Sequence, residues 1–164
     1  MPFLRGRVSF ARLGVGGDAP KVDEGLLEKL AEQEVKPSDI GFAKEVDAGW
    51  CAGAHVYDAV YGREKNVFSG GEAAHVGMRV DVNRVPGEIK RAIKAQHEDA
   101  ARAESATGEL SRAERREAKE LAEQALHTEL ASGRYRRSAM TGMVYDAERS
   151  VVLSASGGST TIEQ

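Results

Sequence analysis

The chain contains one cysteine, Cys51, among 164 residues. A single thiol excludes an internal disulfide and any zinc site built from several cysteines, and it is typical of a reducing compartment. No apolar run approaches the roughly 20 residues that span a bilayer. The first residues also lack the apolar segment and cleavage site of a signal peptide. The sequence therefore predicts a cytoplasmic protein with no membrane partner.

An excess of basic charge is also missing. The 23 lysines and arginines stand against 26 aspartates and glutamates, which gives a formal net charge of -3. The electric field of the whole molecule therefore does not attract nucleic acid, and any such binding must be local. The charges do cluster, because the acidic surplus lies mostly before Gly49, whereas Arg134, Arg136 and Arg137 lie close together.

Recognisable catalytic and metal-binding patterns are scarce. Cys51 and His55 are four residues apart, but this block predicts strand, in which such a spacing does not bring two side chains together. The histidines form no His-x-x-x-His pair, and a second cysteine is lacking. We expect a buried cysteine, surface histidines, no metal, no cofactor and no enzymatic activity.

Gly14, Gly16 and Ala19 have the spacing of a dinucleotide-binding motif and follow a predicted strand. That motif needs its last small residue inside the opening helix, with phosphate at the helix N-terminus. Here Pro20 lies between the glycines and the helix cap at Asp23. The sequence context therefore disfavours a nucleotide site.

Hydrophobic periodicity predicts an α+β fold, in which one or more small antiparallel sheets combine with an amphipathic helix and a protruding helical hairpin. The amphipathic helix is capped by Asp23, ends before Pro37 and has an apolar face of Leu26, Leu27, Leu30 and Ala31. Trp50 opens a β-rich block, in which Gly70 and Gly71 form a turn. The predicted strands cover residues 3–11, 54–61, 66–68, 76–82, 138–145 and 150–155.

The most helical stretch covers residues 86–132 and predicts two helices. Pro86 suits a helix start, because its φ is preset and it has no N–H to satisfy. A Ser-Ala-Thr-Gly segment then breaks the pattern, and Ser111 with Glu114 has the spacing of a capping box for the second helix. Gly133 supplies the left-handed residue that commonly ends a helix.

We divide the chain into an α+β core part over residues 1–85, the helical hairpin over 86–133, and a basic segment with a β-hairpin over 134–164. The last nine residues are typical of a turn and cap that open another helix. We interpret the chain as a shortened form of something longer.

Basic residues form one line on the second helix, and the first helix adds three more cations. The line on the second helix consists of Arg112, Arg115, Arg116 and Lys119. The three cations on the first helix are Lys90, Arg91 and Lys94. Such a line can follow phosphates, since each neutralised phosphate releases counterions. The alternative is a solvated helix with internal pairs, such as Lys119 with Glu123 or Arg116 with Glu120. The residues alone favour this alternative, because partners lie within reach.

The order of these features resembles the N-terminal half of the RdgC family, bacterial DNA-binding proteins associated with recombination. The resemblance depends on Gly49-Trp50, on Arg84-Val85-Pro86 before a helix of the type Ile89–Ile93, on Leu126-His127 near the end of the second helix, and on the Met143–Asp146 strand. It covers most of the chain in the order of the family.

The resemblance implies a homodimer that closes into a ring around double-stranded DNA and binds it without sequence preference through a positively charged inner surface. Such proteins restrain the recombinase RecA by occupying DNA. We therefore expect a cytoplasmic, nucleoid-associated protein. The predicted DNA-binding residues are Lys90, Arg91, Lys94, Arg112, Arg115, Arg116, Lys119, Arg134, Arg136 and Arg137. We expect six of them to be largely exposed on the hairpin, namely Lys90, Arg91, Lys94, Arg115, Arg116 and Lys119.

The resemblance also implies a dimer contact made by an aromatic residue after the second helix. Tyr135 corresponds to it, with Leu130 nearby. The family has a Leu-Pro-Arg-Ala-Phe-like segment where this chain reads Leu130–Tyr135, and the second half of the family is absent. The expected assembly is thus a dimer with one contact or an open clamp. The alternative function is a protein-interaction module that pairs its helical hairpin with a partner and ignores DNA.

Overall fold

The computed structural model describes residues 9–35, 45–105 and 107–155. Within these ranges the helices are α1 (Glu24–Glu32), α2 (Arg63–Asn66), α3 (Gly87–Glu104) and α4 (Arg112–Ala131). The strands are β1 (Ala11–Gly14), β2 (Val46–Cys51), β3 (Ala73–Asn83), β4 (Arg136–Asp146) and β5 (Val151–Ser154). The predicted α+β fold class is confirmed.

The strands form one antiparallel sheet in the order β1-β5-β4-β3-β2. Strands β2 to β5 follow one another in the chain and are neighbours in the sheet, so this part is a meander. The α3–α4 pair is inserted between the neighbours β3 and β4. Strand β1 forms one edge of the sheet and pairs with β5, with Ala11 opposite Ser154. On the other side of β5, Met143 of β4 is also paired with Ser154.

The chain divides into two compact units. Of the described residues, 9–35, 46–81 and 138–155 form the sheet unit, and 45, 82–105 and 107–137 form the hairpin unit. The sheet unit has a hydrophobic cluster whose buried members are Val76, Met78 and Met143. Packed against them are the partly buried side chains of Leu30, Trp50, Tyr61, Val80 and Val152. Because Leu30 belongs to α1, the predicted apolar face of that helix packs on the sheet.

Gly49 lets the chain that follows α1 run directly against β2. The N–H of Trp50 donates to the carbonyl of Gln33 at 3.0 Å, and Glu34 forms a parallel bridge with Trp50. A Cβ atom on Gly49 would lie 2.5 Å from the Gln33 oxygen and 2.7 Å from the nitrogen of Val35. Only glycine allows this approach without a backbone shift.

The predicted helix ends are confirmed. Asp23 accepts the N–H of Leu26 at 2.9 Å at the start of α1. Ser111 and Glu114 form a reciprocal capping box at the start of α4, and the hydrogen bond from the Ser111 N–H lowers the pKa of the Glu114 carboxyl. Gly133 has a left-handed φ of 67° directly after α4.

Residues 54–61, which the sequence predicted as a strand, form a loop around a buried carboxylate. Asp58 accepts the N–H groups of Ala54 at 2.8 Å and Val60 at 3.3 Å, and it pairs with Lys65. Burial alone would raise the pKa of Asp58, but these hydrogen bonds and the Lys65 charge outweigh it and hold the pKa below its ordinary value. The prediction was wrong because β-forming side chains surround an aspartate that organises a turn.

Other predicted strands differ in their bounds. The strand predicted over 3–11 lies mostly outside the described residues, and β1 begins only at Ala11. The short segment at 66–68 is not a strand, because Asn66 ends α2 and Val67 forms an isolated bridge with Ala74. The turn predicted at Gly70 and Gly71 is present, with Gly71 at a left-handed φ of 78°.

The last hairpin begins earlier than predicted. Strand β4 starts at Arg136, two residues before the expected Ser138, so Arg136 and Arg137 belong to the strand. The paired strand β5 ends at Ser154. The predictions for Pro37 and for residues 156–164 fall outside the described residues.

Candidate nucleic-acid interface

All ten cationic residues that the sequence predicted for DNA binding lie in the hairpin unit and are exposed. Their exposure follows from how little the two long helices bury. Helix α3 buries none of its residues, and α4 buries only Ala118 and Ala122. The long charged side chains of the two helices therefore remain largely in solvent.

Three of these cations form internal ion pairs, and two of these pairs are the ones that the sequence offered as an alternative. The Arg116 guanidinium binds the Glu120 carboxylate at 2.9 Å, Lys119 lies 3.6 Å from Glu123, and Lys94 lies 3.7 Å from Glu98. All three pairs have four-residue spacing and lie at least partly in solvent, and such pairs contribute little to stability. These carboxylates are weak competitors for a ligand phosphate.

The other four predicted cations on helices α3 and α4 make no ion pair with any residue that the structure describes. They are Lys90, Arg91, Arg112 and Arg115. They are the part of the predicted basic line that remains available to phosphate.

The turn after α4 places a second group of cations around a cavity. This cavity has a volume of about 430 Å³ and is lined by Val82, Arg84, Val85, Pro86, Gly87, Arg134, Tyr135, Arg136 and Arg137. Four of the lining residues are arginines, and none of the described residues that line it is acidic. The cavity lies entirely within the hairpin unit.

The N-terminus of α3 opens at the same cavity. Pro86 is the N-cap residue, and its side chain makes no capping hydrogen bond. The first intrahelical bond of α3 runs from the N–H of Lys90 to the Pro86 carbonyl at 3.0 Å. The N–H groups of the preceding turn have no acceptor within the helix and give this end a partial positive charge. Gly87, the first helical residue, lines the cavity.

Tyr135 and Leu130, predicted as a dimer contact, are both half-buried in the single chain. Burial and then a hydrogen bond with Glu129 raise the pKa of the Tyr135 phenol. The Leu130 carbonyl accepts the side-chain amide of Asn83 at 2.8 Å, which ties the end of α4 to the end of β3. The dimer contact itself stays a prediction.

Cys51, His55 and His75 belong to the sheet unit, whereas His97 and His127 belong to the two hairpin helices. Cys51 is buried in β2, as predicted, and burial raises the pKa of its thiol. His55 is exposed in the following loop, where its Nδ1 accepts the N–H of Tyr57 at 3.2 Å. His75 is buried, contrary to the expectation of surface histidines, and packs edge-on against Phe68. Across the described ranges, no group of three or more histidine, cysteine and acidic side chains is placed to hold a metal.

Sequence reasoning missed Arg84 and the uncapped start of α3 as parts of the site. Arg84 precedes Val85 and the helix-starting Pro86, and it lines the cavity with the arginines that follow α4. A basic residue two positions before a proline-started helix was a usable signal, because a helix start attracts anions. Its meeting with Arg134 and Arg137 depends on the hairpin closing and could not be read from the sequence.

Comparison with known proteins finds neither a protein family whose model matches this chain nor a curated protein that matches it. None of the helices in the described ranges is long and apolar enough to cross a membrane.

Proposed function

We propose that this protein binds double-stranded DNA without sequence preference, through its hairpin unit. The observation that supports the proposal is the concentration of exposed cations on one unit of an acidic chain. Residues 82–137 contain twelve lysines and arginines against ten acids, whereas the rest of the chain contains eleven against sixteen. The difference turns a net negative protein into one with a cationic face.

Binding to the phosphates of a DNA backbone needs exposed cations and no base-specific contacts. Neutralising a phosphate releases condensed counterions, so affinity depends on the number of cations that reach the backbone and not on the base sequence. The unpaired Lys90, Arg91, Arg112 and Arg115 can act at once. Arg116 and Lys119 can exchange an exposed carboxylate for a phosphate, because exposed pairs are worth only about 0.2–1 kcal/mol.

The resemblance to the RdgC family adds the biological setting of the proposal. On that basis the protein is nucleoid-associated, forms a homodimer through Tyr135 and Leu130, and restrains RecA by occupying DNA. The helical hairpin between β3 and β4 is the part of the fold that presents the cations.

A salt-series titration with two unrelated duplexes of equal length tests the proposal. We expect similar affinities for both duplexes and a linear fall of log K with log salt. Replacing Arg112 and Arg115 with glutamine should make that slope shallower by about 1.8, since two phosphate contacts at about 0.9 each are lost. The matched control replaces Lys21 and Lys29, two exposed lysines of the sheet unit, and should leave the slope unchanged.

Two results would contradict this function. One is the absence of binding to either duplex at low salt. The other is a slope that changes equally in the hairpin variant and in the sheet-unit control, which would assign the attraction to net charge alone.

A second candidate function is a protein-interaction module. It is favoured by apolar side chains that the hairpin leaves in solvent, since Ile89 is 36% and Leu121 46% exposed. A mass measurement in solution with and without DNA separates the two functions. A defined oligomer that ignores DNA would support the module.

A further inference from the structure

We infer that the arginine cavity of the hairpin unit takes a phosphate monoester, namely the phosphorylated end of a DNA strand. This inference rests on the proposed function, and it concerns a different contact from the cations along the helices. Those cations would meet phosphodiesters on the outside of a duplex, whereas these arginines line a cavity.

Charge is the first argument. Arg84, Arg134 and Arg137 line one cavity of about 430 Å³, and no acidic residue is among the described residues that line it. Arginine side chains that line the same cavity repel one another, and a multiply charged anion stabilises them. A phosphodiester supplies one negative charge, whereas a monoester supplies about 1.5 to 2 at neutral pH. The monoester is therefore the better ligand.

Geometry is the second argument. Arginine offers a planar fork of donors that binds phosphate oxygens in pairs. Gly87 adds the uncapped start of α3 to the same wall, and its side-chain-free backbone allows close approach by an oxygen atom. A terminal phosphate has three free oxygens for these donors, whereas a phosphodiester has two.

Size is the third argument. A cavity of this volume falls within the range of small-ligand pockets, roughly 300–1,000 Å³, and holds more than a bare phosphate. The half-buried Tyr135 is among the lining residues, and bases stack on aromatic rings of this kind. An internal nucleotide would have to unpair and unstack to enter, but a terminal nucleotide frays readily. The end of a strand is the part of DNA that fits.

The test compares three duplexes of the same length and sequence at one salt concentration. The first has 5′-phosphates, the second has 5′-hydroxyls, and the third is closed by hairpin loops at both ends. We expect the first to bind about tenfold more tightly than the other two, the effect of one charge-assisted hydrogen bond. Replacing Arg134 and Arg137 with glutamine should abolish this preference, and helical circular dichroism should confirm that the variant is folded.

Replacing Arg112 and Arg115 with glutamine is the matched control. It should weaken the binding of all three duplexes and leave the tenfold ratio intact. A nucleoside monophosphate, added as a competitor, should reduce the preference for phosphorylated ends and leave binding to the closed duplex unchanged.

Three other outcomes would contradict the inference, and they differ in what they leave of the proposed function. Equal binding of all three duplexes would overturn the end-binding inference and leave the proposed function standing. A nucleoside monophosphate that binds at Arg134 and Arg137 without any end preference would overturn it too, because the ligand would then be a free phosphorylated molecule. Failure of every duplex to bind would remove the proposed function and this inference together.

Discussion

The two units of this protein treat charge in opposite ways. In the sheet unit, Asp81 is 2% exposed and receives two parallel hydrogen bonds from Arg79, at 2.8 and 2.7 Å. The same guanidinium lies 4.8 Å from the ring centre of Tyr57. In the hairpin unit, Arg116 meets Glu120 through one hydrogen bond, and both side chains are more than half exposed. The first pair is part of the folded structure, and the second is exchangeable.

The two units also differ in the side chains that they bury. The sheet unit buries large apolar side chains such as Val76, Met78 and Met143. The hairpin helices bury Ala118 and Ala122, and α3 buries nothing. Stability in the first unit therefore depends on a close fit, whereas the second tolerates changes on its surface. Charges that contribute little to folding are free to serve binding, and this difference underlies the proposed division of labour.

The largest effect should come from Gly49→Ala in the sheet unit. The new Cβ would meet backbone atoms at 2.5 and 2.7 Å, and backbone cannot yield as a flexible side chain can. We expect a loss of about 3 kcal/mol of unfolding free energy, at the upper end for overpacking. Urea denaturation followed by Trp50 fluorescence measures it, because Trp50 is the only tryptophan and lies in the sheet unit.

Gly87→Ala is the matched control in the hairpin unit. Its Cβ would meet no atom within 4 Å, and alanine favours a helix over glycine, so stability should be unchanged or slightly higher. If Gly49→Ala proved as harmless as the control, the contact between the end of α1 and β2 would be loose in solution, and the contrast between the units would fail.

An intermediate effect is expected for Asp58→Asn. The substitution weakens the hydrogen bonds with Ala54, Val60 and Lys65, and we expect it to cost about 2 kcal/mol near neutral pH. Because the folded state lowers the pKa of Asp58 below its ordinary value of about 3.8, the stabilisation is present above that pH. It is lost as pH falls through the lower folded value. The gap between wild type and variant should therefore narrow on acidification.

Urea denaturation at a series of pH values below about 5 measures this gap. Glu114→Gln in the hairpin unit is the comparison, since Glu114 also has a lowered pKa but is a capping residue at an exposed helix end. A gap at Asp58 that stays constant with pH would show that the cost comes from altered shape and not from the carboxylate charge.

The sequence predicts the helical hairpin better than the surroundings of Asp58. Helix ends depend on local chemistry, and Ser111, Glu114 and Gly133 act on their own neighbours in the chain. The loop at 54–61 depends on a carboxylate that reaches backbone groups and Lys65 while buried, and burial is a property of the whole fold. The sequence shows β-forming side chains around Asp58 but not that Asp58 is buried, and it therefore predicted a strand.

The candidate site shows the same limit. Exposure of the helix cations follows from their position on amphipathic helices, and it is confirmed for the six residues for which it was predicted. The cavity joins Arg84 to Arg134 and Arg137, which are separated by the whole hairpin. Such a meeting depends on how α3 and α4 pack together, and no local pattern encodes it. The resemblance to the RdgC family named the basic segment but gave no reason to add Arg84.

The smallest effect should come from the Arg116–Glu120 pair. We expect a double-mutant cycle with glutamine at both positions to give a coupling free energy below about 0.5 kcal/mol, which disappears at high salt, because solvent and ions screen an exposed pair. The same cycle at Arg79 and Asp81 should give a several-fold larger coupling that salt hardly changes, since that pair is largely buried and doubly hydrogen-bonded. A strong coupling at Arg116 would mean that α4 holds this guanidinium for its own stability. Phosphate would then have to compete with a structural bond, and the unpaired Arg112 and Arg115 would be left as the main contacts of that helix.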